Sequence, residues 1–176
     1  INLGCPFPML ARRHNGSGML PYPEEVKALL SEAIDRHPDI RFSVKLRLGW
    51  EQAEERLALL PLFNELPLAH IILHPRLGKQ QYKGKVDLEG FEAFYKECTH
   101  PLFYNGDLHT VEDIRSVTTR FPRLAGIVIG RGLLANPALP LEYKQGTPIS
   151  SDEMAKKVGQ LHTEVFGSYR EQLQGG

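Results

Sequence analysis

The feature that most constrains this chain is an alternation. Short apolar or β-branched runs are each followed by a glycine-bearing or charged motif and then by a stripe of apolar residues at helical spacing. The runs cover residues 41–48, 70–73, 102–104 and 126–129, and residues 1–3 read as the tail of one more. Between them, Val26, Leu29, Leu30, Ala33 and Ile34 follow the i, i+3, i+4, i+7, i+8 spacing of a buried helix face, entered through Pro23. Phe91, Phe94, Tyr95 and Cys98 form a second stripe, and Val111, Ile114 and Val117 a third, with Thr110 placed as its N-cap. Residues 51–66 give a weaker helix, expected to break near Pro61.

Alternation of this kind implies right-handed βαβ units and a parallel sheet. About four to five units fit in 176 residues, whereas a closed eight-stranded barrel takes about 200–250. The residues leave two architectures open, a doubly wound sheet or a portion of a barrel, and periodicity does not separate them. After Asn136-Pro137 the pattern changes. Pro140, Gly146 and Pro148 mark a linker, Ser150 and Glu153 have capping-box spacing, and Met154, Val158, Leu161 and Val165 line one face of a further helix. The chain opens on Ile1 in mid-strand and closes on Gly175-Gly176, and it reads as a segment cut at both ends.

Composition narrows the partners. Lys+Arg and Asp+Glu both total 21, so an RNA partner has to be met by local basic patches rather than by a bulk field. Arg12, Arg13 and His14 form one such run, and Lys79, Lys83 and Lys85 another; either is equally at home as solvated surface. No apolar stretch approaches the ~20 residues of a membrane span. The two cysteines lack disulfide or metal-site spacing, which fits a reducing cytoplasm and no metal.

The polar motifs cluster at the C-terminal ends of the strands, where parallel α/β proteins bind ligands. Asn105-Gly106-Asp107 and Gly130-Arg131-Gly132 follow successive strands. Each alone is a tight turn; together they suit a phosphate, which backbone N–H groups can cradle where glycine allows close approach. Lys45 and Arg47 alternate with Val44 and Leu46, so both cations share one strand face. They line either an anion-holding interior or a solvated edge. His74-Pro75-Arg76 ends the next strand, followed by Tyr82 and Gly84, and supplies an imidazole and a guanidinium for a carbonyl or phosphate. Cys98 reads as core. Cys5, between Gly4 and Pro6 at a strand mouth, is placed either as an acid or nucleophile or as a small buried hydrophobe.

In order along the chain stand Asn2-Leu3-Gly4-Cys5-Pro6, Gly16-Ser17 with Leu20, Val44-Lys45-Leu46-Arg47-Leu48-Gly49, His74-Pro75-Arg76 with Tyr82 and Gly84, Asn105-Gly106-Asp107, and Ile129-Gly130-Arg131-Gly132 with Asn136-Pro137. This series closely resembles the tRNA-dihydrouridine synthase family. The resemblance implies an α/β fold, a partial TIM (β/α)8 barrel followed by the first helix of a C-terminal helical domain. Residues 1–143 are then an FMN-binding barrel segment, and 144–176 a linker and the start of a tRNA-binding domain. It also implies FMN- and NADPH-dependent reduction of tRNA uridine to 5,6-dihydrouridine, with Cys5 as the proton donor to C5. By motif, Lys45, His74, Asn105, Gly106, Asp107, Gly130 and Arg131 hold the flavin, while Asn2, Arg47, Arg76 and Tyr82 face the uridine. The family's first strands and most of its helical domain are absent, so the segment by itself is expected to be inactive. Two competitors remain: a flavin barrel acting on a small pyrimidine such as dihydroorotate, and a non-catalytic phosphate- or RNA-binding module.

Overall fold

Five apolar runs become five parallel strands. The structure is a computed structural model and describes residues 1–173. The strands are β1 (Asn2–Leu3), β2 (Val44–Gly49), β3 (Ile71–Leu77), β4 (Leu102–Asn105) and β5 (Gly126–Val128), hydrogen-bonded in that order in one sheet. The main crossover helices are α2 (Pro23–Arg36), α3 (Arg56–Glu65), α4 (Leu88–Glu97) and α5 (Val111–Arg120); a short α1 (Pro8–Ala11) precedes them. Strand order equals chain order. Right-handed crossovers that never reverse direction put every helix on the same face, the winding of a barrel wall rather than of a doubly wound sheet.

Burial agrees with that winding. Leu3, Leu46, Leu73 and Tyr104 stand in register across β1 to β4 and are 1% exposed or less. They pack against Val26 and Leu30 of α2, Leu59 and Phe63 of α3, Phe91 and Phe94 of α4, and Ile114 and Val117 of α5. The opposite face carries the other register rows, Asn2–Lys45–Ile72–Phe103–Gly126 and, one step on, Arg47–His74. Hydrophobic burial therefore secures the helix-covered face and leaves the polar row on the concave one.

Several elements differ from the sequence expectations. β3 outruns the apolar run 70–73: it continues through His74, Pro75 and Arg76 to Leu77. Arg47 pairs with His74 and Gly49 with Leu77, so β3 carries one extra residue there. The bulge spares the ladder the N–H that Pro75 lacks. Helix α3 is not broken at Pro61: a 3-10 turn (Ala53–Glu55) leads into it, Pro61 is exposed, and Leu59, Leu60 and Phe63 hold the buried side. The stretch read as a linker contains α7 (Leu139–Gln145), after a short α6 (Arg131–Ala135). Pro140 sits in the first turn of α7, where its missing N–H costs nothing, and Gly146 ends the helix at φ 74°.

Thr110 caps α5 as expected, in a reciprocal box with Asp113. Ser150 Oγ accepts from Glu153 N–H (3.2 Å) at the start of α8 (Ser151–Leu173), whose Val158, Leu161 and Val165 are exposed. Among the described residues no helix is long and apolar enough to cross a membrane.

Candidate active site

The loops leaving the C-terminal ends of the five strands enclose a cavity of about 350 Å³. Asn2 and Cys5 reach it from β1, Lys45 and Arg47 from β2, and His74 and Tyr82 from β3 and its loop. Asn105, Gly106 and Asp107 line it after β4, and Gly130 and Arg131 after β5. Of the residues given a catalytic, flavin or uridine role by motif, all but Arg76 line it. Leu108, His109 and Val128 line it as well and were not singled out. His109 continues the Asn-Gly-Asp loop, and the two-residue spacing from Asp107 was the available signal.

Each loop is held by identifiable bonds. The Cys5 carbonyl accepts the Ser17 N–H (2.9 Å) and the Ser17 hydroxyl (2.8 Å), and Asn2 Oδ1 accepts the Gly4 N–H (2.9 Å). Arg47, 1% exposed, donates from Nε to the Gly4 carbonyl (3.0 Å) and from Nη1 to the carbonyls of Leu77 (2.9 Å) and Gln81 (2.6 Å). One guanidinium thus fastens the loops after β1 and β3 to β2. Non-glycine residues at positive φ are His14 (53°), Gln81 (53°) and Asp107 (46°), all in loops on this rim, where stored strain commonly accompanies function.

Arg76 does not line the cavity and is 2% exposed. Its fork donates to both oxygens of Asp107 (2.8 and 2.5 Å) and to the Gly84 carbonyl (2.6 Å). Nη1 also stands 3.2 Å from His74 Nε2. A guanidinium only donates, so Nε2 accepts and the imidazole proton resides on Nδ1. Burial first, then the nearby cations Arg47, Lys45 and Arg76, push His74 down to about 3, leaving a neutral ring at neutral pH. The Arg76 hydrogen bonds hold the Asp107 carboxyl below the usual carboxylate range, and Arg131 Nη2 shares the same carboxylate at 3.0 Å.

Lys45 and Arg47 are both drawn down chiefly by burial, Lys45 also by Arg47 beside it. Neither forms an ion pair among the described residues. Tyr82, 55% exposed, lies under Arg131 (4.6 Å from ring centroid to Cζ) and near Arg47 (5.5 Å). Asn105 Nδ2 donates to the Val128 carbonyl (2.7 Å), tying β4 to β5. Four cations and one carboxylate lie in or beside the cavity, together with a neutral imidazole and a thiol. Such a set suits a ligand with anionic groups.

The basic runs lie outside this cavity. Arg12, Arg13, Lys83 and Lys85 are exposed, and Lys79 pairs with Glu51.

Fold and site together define a segment of a parallel βα barrel with one cationic, thiol-bearing cavity at its C-terminal rim. The model of the dihydrouridine synthase family (Dus) matches residues 1–172, and the chain belongs to that family. It is similar to the "tRNA-dihydrouridine synthase B" of Pasteurella multocida, 27% identical over 140 residues, which is 79% of this chain and 42% of the relative. It is also similar to the "tRNA-dihydrouridine(16) synthase" of Pseudomonas syringae, 32% identical over 143 residues, covering 79% and 44%. The "Probable tRNA-dihydrouridine synthase" of Helicobacter pylori is 29% identical over 148 residues, covering 84% and 44%. The chain thus spans less than half the length of these curated relatives.

Proposed function

We propose that this chain carries one side of the active site of an enzyme that reduces uridine to 5,6-dihydrouridine in tRNA, using FMN with NADPH as reductant. The observation that carries the reading is the convergence of Cys5 and Lys45, from different strands, on one cavity. The residues present fit a flavin. Lys45 is a half-buried cation without a carboxylate partner among the described residues. A Cβ built on Gly130 meets nothing within 4 Å, and α6 starts without a side-chain cap, so its first N–H groups are left for a phosphate.

FMN, once bound and reduced by NADPH, would supply the hydride that adds to C6 of the uracil. That addition builds enolate-like charge on the pyrimidine, which a proton delivered at C5 discharges. Cys5 is the proton donor, held at the cavity wall by Ser17. Lys45 stabilises negative charge on the flavin, and Arg131 with the Gly130 backbone holds the phosphate. The neutral His74 offers its Nδ1–H to the flavin; Asn105, Gly106 and Asp107 shape the phosphate end. Asn2, Arg47 and Tyr82 face the uridine. Arg76 acts through His74 and Asp107 and is a positioning residue. Residues 144–176 begin the part that receives tRNA, and the exposed Arg12, Arg13, Lys83 and Lys85 meet its phosphates.

The test is nucleoside analysis of tRNA from cells lacking this gene. Complementation with the whole gene that includes this chain restores dihydrouridine, and the same gene carrying Cys5→Ala does not. Equal restoration by both would remove Cys5 from the mechanism; restoration by neither, with the protein expressed and yellow, would remove tRNA as the substrate.

A further inference from the structure

A second cavity, about 570 Å³, lies on the same rim between the loop after β1 and the loop after β2. It falls in the range of ligand sites, ~300–1,000 Å³, and of the roles above only that of Arg12, on tRNA phosphates, touches it. Trp50, the residue after β2, forms one wall. The indole lies against the backbone of Gly78, where any Cβ would collide with it, and it is half-buried.

The other aromatic wall is a built stack. His14 and Tyr22 lie ring on ring, centroids 3.8 Å apart and 13° from parallel. His14 takes a left-handed backbone conformation (φ 53°), and its Nδ1 is held by the Glu25 carboxylate at 2.9 and 3.0 Å. Strain and a side-chain hydrogen bond together fix a flat ring pair that remains 41% exposed at Tyr22. A packed core has no need of such an arrangement at the surface.

The charged groups at this cavity are not all paired. Of its two lining carboxylates, Glu51 pairs with Lys79, and Glu55 accepts the N–H groups of Trp50 (2.7 Å), Glu51 (2.9 Å) and Gln52 (3.0 Å). Arg12, at the same cavity, has no ion-pair or side-chain hydrogen-bond partner among the described residues. Flat aromatic walls with one free guanidinium suit a nucleobase and its phosphate, since every base has a face to stack and arginine meets the backbone. The wall shared with the first cavity is the Cys5–Ser17 loop, held by the Ser17 bonds to the Cys5 carbonyl.

We propose that this cavity binds a nucleotide of the RNA substrate that neighbours the residue under reduction, its base on the Trp50 and His14–Tyr22 surfaces and its phosphate on Arg12. The inference rests on the RNA reading above and adds a subsite to it.

Trp50 is the single tryptophan of the chain, so its fluorescence reports this cavity alone. Adenosine 5′-monophosphate, titrated into the protein, quenches Trp50 saturably. Tyr22→Ala weakens the nucleotide by about tenfold, a typical loss for one base-stacking aromatic. Arg12→Ala, a change on an exposed side chain, weakens it in a salt-dependent way. Lys45→Met, in the first cavity, leaves the titration unchanged. Absence of quenching in the wild type overturns the proposal. So does quenching that survives both Tyr22→Ala and Arg12→Ala in folded protein, or that is lost only with Lys45→Met. In tRNA reduction by the whole protein, Tyr22→Ala and Arg12→Ala raise KM and spare kcat. If the whole wild-type protein makes no dihydrouridine, the enzyme reading falls, while the nucleotide titration still decides the subsite.

Discussion

Asp107 is contacted by two arginines in different surroundings, and that contrast yields a quantitative prediction. The Arg76 side chain is 3% exposed, that of Arg131 49% and that of Asp107 30%. Arg76→Ala removes a bidentate pair with Asp107, the bond to the Gly84 carbonyl and the donor that fixes the His74 tautomer. Breaking a buried, hydrogen-bonded ion pair costs about 3–5 kcal/mol, because the orphaned partners lose more than the pair gained on forming. Arg131→Ala removes an exposed pair to the same carboxylate, and a surface ion pair is worth about 0–1 kcal/mol. In urea denaturation, with a slope of about 2 kcal/mol per molar, Arg76→Ala lowers the midpoint by roughly 1.5–2.5 M and Arg131→Ala by less than about 0.5 M. Arg76→Lys recovers little of the loss, since an ammonium cannot span both carboxylate oxygens and a carbonyl. Equal, small shifts for the two alanine variants would show that Arg76 does not brace the rim, and the tautomer argument for His74 would go with it.

Three further outcomes follow from the same geometry. The folded His74 titrates near 3 against 6.5 for the free side chain, so its contribution is complete above pH 6.5 and is lost as pH falls toward 3. Thermal stability therefore declines through that window, and the decline is shallower in His74→Gln; an unchanged slope would contradict the assignment. Lys45 is drawn below its ordinary value by burial and Arg47, and an anionic ligand needs it protonated. FMN affinity, followed by flavin fluorescence, thus falls as pH rises through the lowered value; Lys45→Met abolishes that dependence and weakens binding by about tenfold or more, and a parallel pH profile in the variant would refute the role. Gly132→Ala drives a Cβ into the Leu108 carbonyl oxygen beside the cavity. It destabilises by roughly 1–3 kcal/mol, measurable in the same denaturation assay, and a neutral result would show that the loops after β4 and β5 do not abut.

Much of this architecture is legible in residue order because strands and helices announce themselves locally. Alternation of Lys45 and Arg47 with Val44 and Leu46 fixes which side chains share a face, and the Thr110–Asp113 box needs only four residues. The choice between barrel wall and doubly wound sheet is different in kind. It depends on the spatial order of strands, which no local pattern encodes. Arg76 shows the same limit. Its motif placed it among the ligand-facing residues, but the bulge at Pro75 and the distant Asp107 hold it out of the cavity lining. Helices α6 and α7 are hard to read locally because they are five and seven residues long, and Pro140 within α7 and Gly146 at its end resemble linker punctuation.

The central claim is that one ligand occupies the cavity lined by both Cys5 and Lys45, and chemical protection tests it directly. The rate of Cys5 alkylation by iodoacetamide is measured by mass spectrometry with increasing FMN, with Cys98, only 9% exposed, as the internal control. The account predicts that FMN slows modification of Cys5, at a midpoint matching the flavin-fluorescence titration, and that Lys45→Met shifts both midpoints together. An alkylation rate at Cys5 unchanged at saturating FMN would contradict it.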